Sequence, residues 1–106
     1  MAGIPYRRAK ENIVAGETDV RRKRLLYRSR RRGMREADHL LGGFAERTLD
    51  GFTDEQLDRY ERLLENTDPD LLDWITGRAP VPDAFDNDVM ALLRDFKSTI
   101  KPPWNH

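Results

Sequence analysis

No cysteine occurs in these 106 residues, which excludes disulfides, thiolate metal sites and a cysteine nucleophile. Histidine is almost as scarce. His39 and the last residue, His106, are the two present. Glu36 and Asp38 flank His39, but a metal site needs three or four ligands and no second imidazole is near in sequence. The serines are Ser29 and Ser98, neither in the strand–turn–helix setting of an activated nucleophile. No segment alternates with period two, so no strand precedes a glycine-rich phosphate loop. No apolar run approaches the roughly 20 residues that cross a bilayer. The chain is therefore expected not to be an enzyme: it offers no catalytic residue, no metal ligand set and no cofactor site of its own. The opening residues lack the apolar core of a secretory signal. Glu11, Glu17 and Asp19 also interrupt the positive charge that a mitochondrial presequence carries. A bacterial cytoplasm is the expected setting, or the mitochondrial matrix for a eukaryotic source.

Net charge is also absent, but only in sum. Residues 1–35 hold 12 Lys/Arg against 3 Asp/Glu, a balance of +9, and residues 36–106 hold 7 against 16, a balance of −9. The densest part is Arg21 to Asp38, RRKRLLYRSRRRGMREAD, with nine basic residues and no acid before Glu36. A dipolar chain of this kind serves a charged partner or cancels its own charge between packed elements. Its length allows one small domain. With 38% apolar and 36% charged residues, the core is small and the stability is expected near 5 kcal/mol.

The periodicity is helical throughout. Residues 1–17 mix Gly, Pro and charge without period and are expected to form a disordered tail. Residues 18–101 form a single helical domain, and residues 102–106 a loose C-terminal tail. A first helix is predicted from Thr18, as N-cap, to Arg32, with Leu25 and Leu26 apolar and Gly33 as its left-handed C′ residue. A second runs from Met34 to Leu49 along the stripe Met34, Ala37, Leu41, Phe44, Ala45 and Thr48, with Leu40 on the flank. Gly42 and Gly43 inside it imply a kink or a close helix approach. The third opens on a capping box, Thr53 with Gln56, and Phe52 can staple onto Leu57. Leu57, Tyr60 and Leu64 face one way. The fourth is predicted from Asp68 as N-cap, with Pro69 at N1, to Gly77, burying Leu71, Trp74 and Ile75. After an extended linker, Arg78 to Asp83, the fifth runs from Asp86 to Ile100. Val89, Leu92, Leu93, Phe96 and Ile100 line its apolar face, and Lys97 and Lys101 sit at its negative end. The expected fold is all-α: a small five-helix bundle with a disordered N-terminal tail.

Three roles fit the basic run. It can be a solvated face balanced by the acidic remainder. It can bind nucleic acid, since clustered arginines suit phosphates; a small nucleic-acid-binding or antitoxin-like regulator is the alternative function. Against that stand the −9 remainder, the lack of helix-turn-helix spacing and the lack of an aromatic row for stacking. It can also be a protein interface, where arginine holds carboxylates bidentately. The detail of RGMREAD favours the interface. Arg32 and Glu36 are spaced i, i+4 across a bend, and Gly33 brings bare backbone to the surface.

RGMREAD and the arginine-rich helix before it resemble the flavinylation assembly factors of succinate dehydrogenase, known in bacteria as SdhE and in mitochondria as assembly factor 2. RLLYRSRRRGM (24–34), TDPDLLDWI (67–75) and NDVMALLRDF (87–96) extend the likeness in register over residues 20–97. Gly42–Gly43 departs from it, since relatives often carry a larger residue at one of these positions. The resemblance implies a five-helix domain with no cofactor of its own. It also implies that the chain binds the flavoprotein subunit of succinate dehydrogenase, and of fumarate reductase, to promote covalent attachment of FAD to a client histidine. Arg32, Gly33 and Glu36 match the family's Arg-Gly-x-x-Glu motif. The partner-binding set expected from it is Arg28, Arg31, Arg32, Gly33, Met34, Arg35, Glu36 and Asp38. Neither nucleic-acid binding nor membrane insertion is expected, and the free protein is expected to be a monomer.

Overall fold

The computed structural model describes the backbone of residues 3–100 and the side chains of residues 16–100. Five α-helices follow one another with no strand among the described residues: α1 Gly3–Arg30, α2 Arg35–Thr48, α3 Asp54–Leu63, α4 Asp68–Thr76 and α5 Asp88–Thr99. Short 3₁₀ turns, Leu49–Gly51 and Asp83–Phe85, follow α2 and precede α5. The first helix is longer at its N-terminus than the sequence pattern suggests. Its backbone is already helical at Gly3, so Thr18 lies within it and does not cap it. Helix propagation needs only locally compatible residues once a turn exists, and Ala9 to Glu17 contains no breaker except Gly16. The expected C-terminal tail, with Lys101, lies outside the described residues.

Each helix start has a local cause. Thr53 and Gln56 form the reciprocal box: the Gln56 amide nitrogen donates to Thr53 Oγ1 at 3.2 Å, and the Thr53 amide donates to Gln56 Oε1 at 3.0 Å. At α4 the cap is Thr67, whose Oγ1 accepts from the Asp70 amide, and not Asp68. Asp68 is drawn away to an arginine, described below. Asn87 caps α5 by accepting from the Val89 and Met90 amides, two residues later than the predicted start. Gly77 closes α4 in the left-handed region, at φ 82°.

The core gathers Leu25 of α1, Leu41 and Phe44 of α2, Leu57 and Tyr60 of α3, Leu71 of α4, and Val89, Met90 and Leu93 of α5. Phe44 is its centre, with ring centroids 5.9 Å from Phe52, 5.6 Å from Tyr60 and 5.9 Å from Phe96. Leu92, placed on the apolar face of the fifth helix by its spacing, is instead exposed, and Met90 takes the buried position. Ser29 is the polar exception inside. Its Oγ donates to the Leu25 carbonyl at 2.7 Å and lies 2.6 Å from Tyr60 Oη. Ser29's single proton is committed to Leu25, so Tyr60 donates to Ser29 and both buried hydroxyls are satisfied. Burial pushes the Tyr60 hydroxyl well above the ordinary tyrosine range.

Gly42 and Gly43 mark a close approach. A Cβ on Gly42 would stand 3.2 Å from Arg30 Cγ, and one on Gly43 would stand 3.1 Å from Phe96 Cζ. The two glycines let α1 and α5 close on two neighbouring faces of α2. That packing fixes the end of α1 over the start of α2, where the candidate site lies.

Candidate partner-binding site

The helix α1 ends at Arg30, two residues earlier than predicted, and residues 31–34 form a bend into α2 that is exposed at Arg31 and Gly33. Gly33 is therefore not the residue closing a helix. It stands three residues past the end, at φ 110°, a conformation that side-chain-bearing residues rarely adopt. The space around it is open: an added Cβ would meet only Asp68 Oδ2, at 3.9 Å. Asp38, one turn into α2, reaches back under the bend. Its Oδ1 accepts from the Arg32 amide at 2.5 Å and the Gly33 amide at 3.2 Å. These backbone donors lie in the bend, outside the hydrogen-bond ladders of α1 and α2.

Arg32 points inward. Its side chain is 11% exposed and pairs with Asp68, itself 9% exposed, with Nε 2.7 Å from Oδ1. Nη1 donates to the Leu64 carbonyl and Nη2 to the Asn66 carbonyl, both at 2.6 Å. One guanidinium thus ties the end of α1 to the C-terminal end of α3 and the first turn of α4. Its fork reaches three acceptors in different directions, and its charge complements the negative end of α3. The expected pairing of Arg32 with Glu36 does not form. A buried carboxylate with two further carbonyls outcompetes an exposed partner in water.

The other expected site residues divide accordingly. Arg28 lies 3.7 Å from Glu61 of α3. Met34 is half-buried and packs against the core as the residue before α2. Arg31, Gly33 and Arg35 are exposed and Glu36 is half-exposed. The side chains of Arg35 and Glu36 make no ion pair or hydrogen bond among the described residues. The structure thus brings Arg31, Gly33, Arg35 and Glu36 to one surface and uses Arg32 and Asp38 to hold it from beneath. Asp68 is the residue that sequence reasoning missed. It reads as a helix cap, and only the fold brings it to Arg32. His39 is exposed on α2, and no group of three or more potential metal ligands occurs among the described residues.

Much of the charge dipole is cancelled inside the molecule. Arg21 pairs with Asp58 and Glu61, Arg28 with Glu61, Arg30 with Glu46 and Arg32 with Asp68. Arg22 donates to the carbonyls of Leu49 and Phe52. The basic helix is therefore largely a structural partner of the acidic half.

The family model described as "Flavinator of succinate dehydrogenase" matches residues 23–97, from the last third of α1 to the last turn of α5. The chain belongs to this family. It is 42% identical over 85 residues to "Succinate dehydrogenase assembly factor 2, mitochondrial" of Dictyostelium discoideum, a match covering 80% of this chain and 60% of that protein. It is 42% identical over 95 residues to the protein of the same name from Debaryomyces hansenii, covering 86% and 63%. "FAD assembly factor SdhE" of Acetobacter pasteurianus is 44% identical over 75 residues, covering 71% and 64%. The chain spans about three-fifths of the length of these relatives. The matched segment contains the whole bend, Asp68 and the core. No helix among the described residues is long and apolar enough to cross a membrane.

Proposed function

We propose that this protein is an assembly factor that binds the flavoprotein subunit of succinate dehydrogenase and promotes covalent attachment of FAD there. The observation that carries the proposal is the bend of residues 31–36. It lies inside the family match and presents bare backbone at Gly33 beside an unpaired Arg35 and Glu36, over a scaffold locked by Arg32 and Asp38. An unpaired carboxylate and guanidinium beside exposed peptide groups suit a protein surface with complementary charges and backbone acceptors. They suit a polyanion poorly, because Glu36 would face its phosphates.

The chemistry belongs to the client, whose histidine becomes bonded to the flavin. This chain acts by orientation. Docking through Gly33 and Glu36 holds the client domains in the arrangement that aligns histidine and flavin, and alignment alone is worth large rate factors. The factor needs no cofactor or nucleophile of its own for this. Arg32 and Asp38 are positioning residues, and Arg31, Gly33, Arg35 and Glu36 form the contact. A flavoprotein of the fumarate reductase type is a second client of the same chemistry. The free chain works as a monomer.

Gly33→Arg tests the reading. Cooperative melting is retained at a lowered midpoint: the surroundings are open, but any side-chain-bearing residue at φ 110° is strained, at a cost of about 1–3 kcal/mol. Association with the purified flavoprotein, followed by gel filtration, is lost. A folded Gly33→Arg protein that still co-elutes with the flavoprotein would remove the bend from the interface.

A further inference from the structure

The nine cations of residues 21–35 fall into two classes. Five are engaged internally: Arg21, Arg28, Arg30 and Arg32 by carboxylates of the acidic half, and Arg22 by two carbonyls and Asp19. The other four, Lys23, Arg24, Arg31 and Arg35, meet no carboxylate among the described residues. Two of them, Arg24 and Arg31, lie along one face. At about 100° per residue, Val20, Arg24 and Tyr27 fall within roughly 60° of one another on α1, opposite the buried Leu25 and Ser29. Arg31 follows one turn on. Val20 is 58% and Tyr27 59% exposed, the two most exposed large apolar side chains described. Gly16, one turn before Val20, carries no side chain, and an added Cβ would meet nothing within 4 Å. Gly16, Glu17, Val20 and Arg24 line a shallow open depression there.

At the end of this stripe the Arg31 guanidinium lies over the Tyr27 ring, 4.7 Å from its centroid. Stacking on the ring face favours one plane for the exposed guanidinium and leaves its N–H edge able to donate. An arginine held in this way has already lost much of the side-chain freedom that binding would otherwise cost. No acid among the described residues uses that edge.

We infer that the outer face of α1, from Val20 through Arg24 to the Tyr27–Arg31 stack, is a second contact with the client: a preformed carboxylate anchor for an acidic surface of the flavoprotein subunit. The inference rests on the proposed function for the client's identity. It commits to an acidic protein surface because the free cations are interleaved with exposed apolar groups and lead into the Gly33 bend. A membrane is disfavoured because two apolar side chains bury too little area for interfacial anchoring. The anchor's role is affinity and registration: Tyr27–Arg31 fixes one end of the contact while Glu36 fixes the other.

The full chain is titrated against the purified flavoprotein subunit at about 150 mM salt, where exposed long-range attraction is screened. Arg31→Ala and Tyr27→Ala are each expected to weaken binding about tenfold, the scale of a central interface residue. The double variant is expected to lose little more than either single one, since ring and guanidinium act as a unit. Tyr27→Phe keeps the stacking face and binds like the parent, and Arg31→Lys keeps charge but loses the planar fork and binds more weakly. Helix content and melting stay unchanged, because both side chains are solvent-exposed. Parent-like binding by both alanine variants overturns the inference. If Gly33→Arg then still abolishes binding, the proposed function stands without this anchor. If the parent itself does not bind the flavoprotein, both fall. Loss of duplex DNA binding in the same variants, with flavoprotein binding intact, assigns the stripe to nucleic acid and also overturns the inference.

Discussion

Arg32 and Glu36 stand four residues apart in one short motif and do different work. Arg32 is buried, with one carboxylate and two carbonyls on its guanidinium. Glu36 is half-exposed and without a partner among the described residues. Removing one member of a buried ion pair strands the other, at about 3–5 kcal/mol. In a domain with about 5 kcal/mol in total, Arg32→Ala is expected to unfold or nearly so. Glu36→Ala is expected to change stability by less than about 0.5 kcal/mol while weakening client binding. Thermal melting and client titration on both variants check the division. A stable Arg32→Ala protein would show that the tie to Asp68 contributes little. A Glu36→Ala protein that melts far below the parent would make Glu36 a structural group.

At the scale of elements, the glycine pair of α2 gives a contrast within one helix. Each glycine costs about 1 kcal/mol relative to alanine in a helix interior. At Gly42 the obstacle to a methyl group is the Arg30 side chain, half-exposed and able to move. At Gly43 it is the Phe96 ring, wedged edge-on against Phe44 and covered by Arg47. Gly42→Ala is therefore expected to raise stability by up to about 1 kcal/mol, and Gly43→Ala to gain nothing or lose some. Denaturant titrations of the two single variants give the comparison, and equal gains would show that Phe96 can shift. The capping box at Thr53, the stop at Gly77 and the stripe of α2 are legible in sequence because cause and effect lie within one turn. The Thr67 cap, the inward turn of Arg32 and the exposure of Leu92 are not. Each depends on something distant in sequence: Arg32 draws Asp68 from the cap of α4, Asp68 turns Arg32 inward, and the side from which α3 and α4 cover α5 leaves Leu92 exposed. The location of the candidate site was legible in RGMREAD. The split between residues that hold it and residues that display it was not, because an arginine in a basic run shows no sign of which carboxylate it will find.

Across the whole molecule, the +9 and −9 halves fold onto one another. Four of the arginines that a polyanion would need are already paired with Asp58, Glu61, Glu46 and Asp68. Binding to duplex DNA through the few free cations should be weak and should fall steeply between about 50 and 200 mM salt, as counterion release requires. A protein interface anchored by a few desolvated groups loses less, mainly through slower encounter. The flavoprotein complex is therefore expected to persist at about 200 mM salt, with random duplex binding negligible there. Tight duplex binding at that salt, without affinity for the flavoprotein, would favour the nucleic-acid role.

The most direct test is in-gel fluorescence of flavin that stays bound to the flavoprotein subunit after denaturation. The subunit is produced without this chain, with the parent chain, and with Glu36→Ala. The expected result is strong fluorescence with the parent and little without the chain or with a folded Glu36→Ala protein. Equal fluorescence in all three, at equal amounts of subunit, would contradict the account.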